Sequence, residues 1–259
     1  MSDTPADTTA DSAAQTAQDA ATLPLFYSAP TALMKDQHAD LALAPQSGFD
    51  FASKANVIPL MAAEMPQAAR SYPIVFSGPN NMPLAVTGLK ADENLFVDAD
   101  GNWAAGHYVP AYVRRYPFVL AGDDADEQLT LCIDMNAPMV AKRGDEGAHE
   151  IFTQDGEASE FTQNALRFCE EFQAMFNVTR TLVTEIVAQD ILMDQQSKVT
   201  LPDGTSHNIT GFKGIDEAKL NALDDDAFLK LRKTGALGAI YCQLASSNTW
   251  QSLLALRNT

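Results

Sequence analysis

The side chains best suited to chemistry are gathered in one short stretch: His107, Tyr108, Tyr112, Arg114, Arg115 and Tyr116, bracketed by Pro110 and Pro117. A guanidinium is a planar fork that grips a carboxylate or phosphate through paired hydrogen bonds, and aromatic rings stack on its face. His107, Tyr112, Arg114, Arg115 and Tyr116 therefore form the candidate site for an acidic small ligand or for another protein. The competing expectation is that the arginines answer the chain's own carboxylates and the tyrosines simply pack.

Other polar groups have plainer structural readings. Asp98, Asp100 and Asn102 offer the hard oxygen ligands that calcium takes. Gly101 comes too early for an EF-hand loop, however, and the twelfth position is Val109 rather than Glu, so a hairpin turn accounts for them better. His38-Ala39-Asp40 has the spacing of a two-histidine, one-carboxylate iron site, with His107, His149 or His207 as a further ligand; it equally suits a loop entering a strand. Cys132, Cys169 and Cys242 are odd in number, far apart and set among apolar residues, so they read as buried thiols. Glu170 and Glu171, adjacent on a helical pattern, point in different directions, and the Asp224-Asp225-Asp226 run reads as a helix cap. The chain contains no G-x-S-x-G, P-loop or G-x-G-x-x-G sequence. Neither a metal nor another cofactor is expected.

The apolar pattern lays out the elements that must hold these groups. Leu23 to Phe51 reads as short strands and turns, and Pro59 to Met65 as a short helix with Pro66 as its difficulty. Between Tyr72 and Asp134, the runs Ile74–Phe76, Leu84–Val86, Leu95–Val97, Phe118–Leu120 and Leu129–Ile133 alternate with Gly-, Asn- and Asp-rich turns. That alternation predicts an antiparallel sheet, because parallel strands would need long crossovers that are missing. Beyond a charged connection, Ser159 can cap a long helix in which Phe161, Ala165, Phe168, Phe172, Met175, Thr179, Leu182 and Ile186 fall at steps of three and four. Leu166, Cys169, Phe176, Val183 and Val187 widen this stripe, which is expected to face the protein's own core; the alternative is a homodimer built on it. Pro202-Asp203-Gly204 turns a hairpin, and two helices close the chain, one from about Asp224 to Lys233 and one after Gly235. The fold class is thus α+β: a central antiparallel β-sheet with a long amphipathic helix and a helical C-terminal region. Residues 23–259 form the domain, with a division into a β-rich part 23–140 and a helical part 159–259 left open.

Composition bounds the partners. The chain has 259 residues, 46% of them hydrophobic, enough for a substantial core. The 34 acidic residues against 17 basic ones give a formal charge of −17, which repels nucleic acid and anionic lipid. The first 22 residues hold Asp3, Asp7, Asp11 and Asp19 without Lys, Arg or an apolar run, the composition of a disordered acidic tail rather than a secretory signal. No segment approaches the roughly 18 apolar residues of a membrane span, so a cytoplasmic protein is expected.

Several of these stretches also carry a family likeness. Ala69-Arg70-Ser71-Tyr72-Pro73-Ile74-Val75-Phe76, the run from Glu93 to Gly101, the run from Tyr108 to Phe118 and Leu131-Cys132-Ile133-Asp134 resemble the SapC family. Leu201-Pro202-Asp203-Gly204 and the run from Gly235 to Tyr241 extend the resemblance over about residues 24–250. This is the bacterial surface-layer-associated family, not the membrane-bound peptide-transport permease that shares the short name. The resemblance implies no catalytic residues. It implies an accessory role in uptake or surface modification, since members are often encoded beside outer-membrane receptors and beside halogenase-like or cupin-like proteins. The expected function is therefore an accessory binding or assembly protein; the alternative is a metal-dependent oxygenase working with those neighbours, which needs converging His and carboxylate ligands.

Overall fold

The computed structural model describes residues 23–122, 129–200 and 206–257. The chain opens with β1 (Pro30–Ala32), the single turn α1 (Lys35–His38) and β2 (Leu41–Leu43). Next come β3 (Val57–Pro59), α2 (Met65–Ala68), β4 (Ile74–Ser77) and β5 (Met82–Val86). After them stand α3 (Ala111–Arg114), β6 (Phe118–Ala121), β7 (Thr130–Asp134), β8 (Val140–Lys142) and β9 (His149–Glu150). The long α4 (Glu160–Ala188) leads to the hairpin of β10 (Leu192–Thr200) and β11 (Ser206–Ile215). Four helices follow: α5 (Glu217–Asn221), α6 (Asp225–Thr234), α7 (Ala236–Ser246) and α8 (Thr249–Leu256). The tail predicted over 1–22, the turn predicted at Asp123-Asp124 and the Pro202-Asp203-Gly204 turn lie outside the described residues.

Helices combined with antiparallel strands make this an α+β protein, as the apolar pattern predicts. All named strand pairs are antiparallel, but they divide among three sheets. The largest has the order β10-β11-β4-β5-β3, so the late hairpin docks on a strand more than a hundred residues earlier in the chain. The hairpin β6-β7 takes β1 as its third strand, and β2 lies between β8 and β9.

Some expected strands are not formed, for local reasons. Leu95–Val97 makes only an isolated bridge from Val97 to Trp103, because Asn94 diverts the backbone. Its side-chain amide donates to Ala52 O at 2.9 Å and its oxygen accepts from Phe96 N at 3.0 Å, replacing a strand ladder. Phe49–Phe51 ends in a 3-10 turn over Asp50–Ala52, which turns the Phe51 ring onto Tyr116 at 4.2 Å. Pro66 falls in the first turn of α2, where its missing N–H costs nothing. The closing helix predicted after Gly235 breaks at Ser247-Asn248 into α7 and α8; there Asn248 Nδ2 and Thr249 Oγ1 donate to the carbonyls of Ala245 and Ser246. Gly235 ends α6 with φ +83°, a conformation that suits glycine.

The spine of the molecule is α4. Its Ser159 cap accepts from Thr162 N at 3.2 Å, and the helix runs about 43 Å at 1.5 Å per residue. Cys169 joins the cluster around β6 and β7, Phe172 the cluster around Ile58, Met61 and Tyr112, and Leu182, Val183 and Ile186 the cluster around Phe76. That last cluster also contains Leu231 and Ile240, so the five-stranded sheet and the C-terminal helices share one core. The apolar stripe therefore faces the protein's own interior; of its residues only Val187, at the edge, is exposed. Glu170 and Glu171 lie on the exposed side, as expected.

Candidate binding site

The arginine pair is carried by the segment that joins α3 to β6. Pro110 starts the single helical turn, and Ala111 N donates to the buried Glu64 carboxylate at 2.6 Å, anchoring it. Residues 114 and 115 are about 100° apart around such a turn, so the two guanidinium groups reach different rings. Arg114 lies 5.3 Å from the Phe168 ring and 5.8 Å from the Tyr108 ring. Arg115 lies 4.2 Å from Tyr112, three residues before it, and 4.3 Å from Phe172. Phe168 and Phe172 are one turn apart on α4, so each of the two arginines meets its own phenylalanine of that helix. Contacts of this type contribute roughly 0.5–2 kcal/mol each.

The hydrogen bonding of the pair is incomplete. Arg114 donates from Nε to Val109 O and from Nη2 to Tyr108 Oη, both at 3.1 Å. The Nε of Arg115 is buried and has no hydrogen-bond partner among the described residues. Neither arginine forms an ion pair with a described carboxylate, although other bases do: Arg143 pairs with Glu150 and Arg257 with Glu93. Arg143 further spends its fork on the carbonyls of Ala39 and Phe152. Among the described residues, therefore, Arg114 and Arg115 do not answer a carboxylate directly.

Arg114, Arg115 and Tyr116 line one cleft of about 470 Å³. Its other walls come from the Leu43–Gln46 segment, Met139, His149 and the first turns of α4, including Phe161, Asn164 and Phe168. The His149 imidazole stacks on Phe161 at 4.8 Å. A concave site of this size, apolar with a few converging polar groups, is what small-molecule binding requires.

The remaining site residues are distributed as follows. Tyr112 stacks on Arg115 but lines an adjacent cleft. Tyr116 Oη donates to the fully buried Asp134, which also accepts from the backbone N–H groups of Ser28, Ala29 and Asn136. Burial, then the Asp134 charge, pushes the Tyr116 hydroxyl well above its usual range, so Tyr116 shapes the cleft as a neutral donor. His107 stands apart: its ring meets Phe96 edge-on at 5.0 Å, and burial lowers its pKa.

The oxygen cluster at Asp98 is a turn. Asp98 Oδ1 accepts from the N–H groups of Asn102 at 2.8 Å and Asp100 at 2.9 Å, and the first of these chiefly holds its pKa low. Gly101 has φ +78°, and a Cβ there would come within 2.5 Å of the Asp50 carboxylate. Among the described residues no three of His, Cys, Asp and Glu come together as a metal site. His38 Nδ1 accepts from Met34 N at 3.0 Å and lines a different cleft from the one that holds His149; the His207 side chain lies outside the described residues. Cys132 and Cys169 are buried and Cys242 half-buried; burial pushes the Cys169 thiol up to about 11 and keeps it protonated.

Sequence reasoning missed His149 and Asn164 as cleft residues and Glu64 and Asp134 as anchors. A signal existed for the anchors: each is a single carboxylate inside or ending an apolar run, and a buried charge needs several donors. For His149 and Asn164 no local signal exists, because distant segments bring them to the arginines.

Fold and cleft together define an α+β protein with an unspent cationic wall. The SapC family model matches residues 33–253, and the chain belongs to the SapC family. No curated protein and no solved structure matches the chain. No helix of the described residues is long and apolar enough to cross a membrane.

Proposed function

We propose that this SapC-family chain is a binding protein that holds an anionic small ligand at Arg114 and Arg115. On this reading it serves as a cytoplasmic accessory component of a bacterial surface-layer or uptake system. One observation carries the binding role: in a chain with 34 acidic residues, two adjacent arginines on a cleft wall have no carboxylate partner among the described residues. Holding two cations on a set of rings, with a guanidinium N–H of Arg115 left without a protein partner among the described residues, is a pre-organised anion site. The association with a surface or uptake system rests on the family alone.

Native mass spectrometry of the protein purified from its own host tests this. The wild-type chain is expected to carry a bound mass that Arg114→Ala combined with Arg115→Ala releases. A co-purifying acidic protein in place of a small molecule would make that protein the ligand of the same arginines. A wild-type chain that arrives bare, or a mass that survives both substitutions, overturns the reading.

A further inference from the structure

Arg115 stands where two clefts meet. The second, of about 370 Å³, is walled by Leu60, Met61, Leu84, Leu120 and Phe176, and among the described residues Arg115 is its only charged lining residue. Tyr112 and Gln173 are the only other polar side chains there. The guanidinium carbon of Arg115 lies 4.2 Å from the Tyr112 ring and 4.3 Å from the Phe172 ring, and the Tyr112 hydroxyl accepts a hydrogen bond from the same group. Its Nε is buried and has no partner among the described residues, a state that proteins seldom leave uncompensated. A carboxylate supplies two coplanar acceptors that match Nε and a neighbouring Nη. A doubly charged phosphate would call for a second cation, which the apolar cleft does not offer.

We propose that the ligand is an apolar monocarboxylate, of the medium-chain fatty acid type, with its carboxylate on the guanidinium of Arg115 and its chain in the second cleft. This rests on the anion-binding reading above and adds the ligand class. The chain would be shielded by Met61, Leu84, Leu120 and Phe176, while the charge stays where the two clefts meet.

Calorimetric titration of the full chain with octanoate, octanol, inorganic phosphate and an Asp/Glu-rich peptide tests the ligand class. Octanoate is expected to bind at least about tenfold more tightly than octanol, since only the former has the charge that Arg115 receives. Arg115→Gln should weaken octanoate by about tenfold or more, and Arg115→Lys should also weaken it, because the charge remains but the planar fork is gone. Leu120→Trp fills the second cleft and leaves Arg115 in place; it should weaken octanoate while an unchanged thermal melt shows that the fold is intact. Octanoate that binds no better than octanol, or that binds a folded Leu120→Trp chain unchanged, overturns the ligand class. If octanoate fails while phosphate or the peptide binds in a manner dependent on Arg114 and Arg115, the ligand class falls and the anion-binding reading stands. If no anion responds to those arginines, both fall.

Discussion

Tyr108 receives a hydrogen bond from Arg114 Nη2 and donates one to Glu64 Oε1 at 2.8 Å, so the buried carboxylate positions the outer arginine without touching it. Glu64 accepts further from Ala111 N and Met61 N, which tie α3 to the turn that begins α2. Burial, then the charge of Glu64, pushes the Tyr108 hydroxyl up to about 12, and burial raises Tyr27, Tyr72, Tyr112 and Tyr116 as well. A raised pKa means that the folded state holds the proton better than the unfolded chain, where tyrosine titrates near 10. That stabilisation is complete below about pH 10 and is lost as pH climbs through the folded values. Stability should therefore fall steeply above about pH 10. Glu64→Gln removes the charge and one acceptor, so it should lower the Tyr108 pKa and destabilise the fold by about 1–3 kcal/mol. Ultraviolet tyrosinate absorbance and urea denaturation read the two effects; if both stay at wild-type values, Glu64 is not the anchor.

At the scale of elements, α4 does two jobs with one periodicity. The stripe that buries Leu182 and Ile186 among the C-terminal helices presents Phe168 and Phe172 to the arginines about three to five turns earlier. Ile186 is fully buried, whereas Val178, two turns earlier and outside the buried stripe, is 59% exposed. Ile186→Ala should therefore cost about 2–5 kcal/mol, from lost transfer energy and the cavity left behind. Val178→Ala should stay within about 0.5 kcal/mol of wild type. Guanidinium denaturation of the two variants checks this; similar losses at both positions would mean that the Val178 face is covered in solution, which would bring back a second protomer as its partner.

For the whole molecule, the open question is whether the β-rich and helical parts fold apart. Phe76 on β4 is buried against Leu182, Ile186, Leu231 and Ile240, and Ile133 on β7 shares a cluster with Cys169 on α4. Further ties come from Ile74, whose N–H donates to Ser246 Oγ and whose carbonyl accepts from Gln243 Nε2. A fragment of residues 23–140 would expose the apolar sides of two sheets and leave such backbone groups unpaired. It should show no cooperative thermal transition, while the full chain unfolds with its sheet and helix signals together. A fragment that melts cooperatively would make the β-rich part a domain of its own.

The sequence by itself determined what repeats or ends locally: the α+β class, the stripe of α4, the caps at Ser159 and Asp224, the turn at Asp98 and the uncommon arginine pair. Such features depend on neighbours within a few residues, where periodicity and side-chain hydrogen bonding act directly. Tertiary structure alone decided how the strands divide among sheets, since β1 must find β7 and β11 must find β4 across about a hundred residues or more. It likewise decided that His149 and Asn164 join the arginines while His107 does not, and that Glu64 and Asp134 become anchors. The physical reason is that a polar group's role is set by which distant donor or ring is packed against it, and no local pattern specifies that partner.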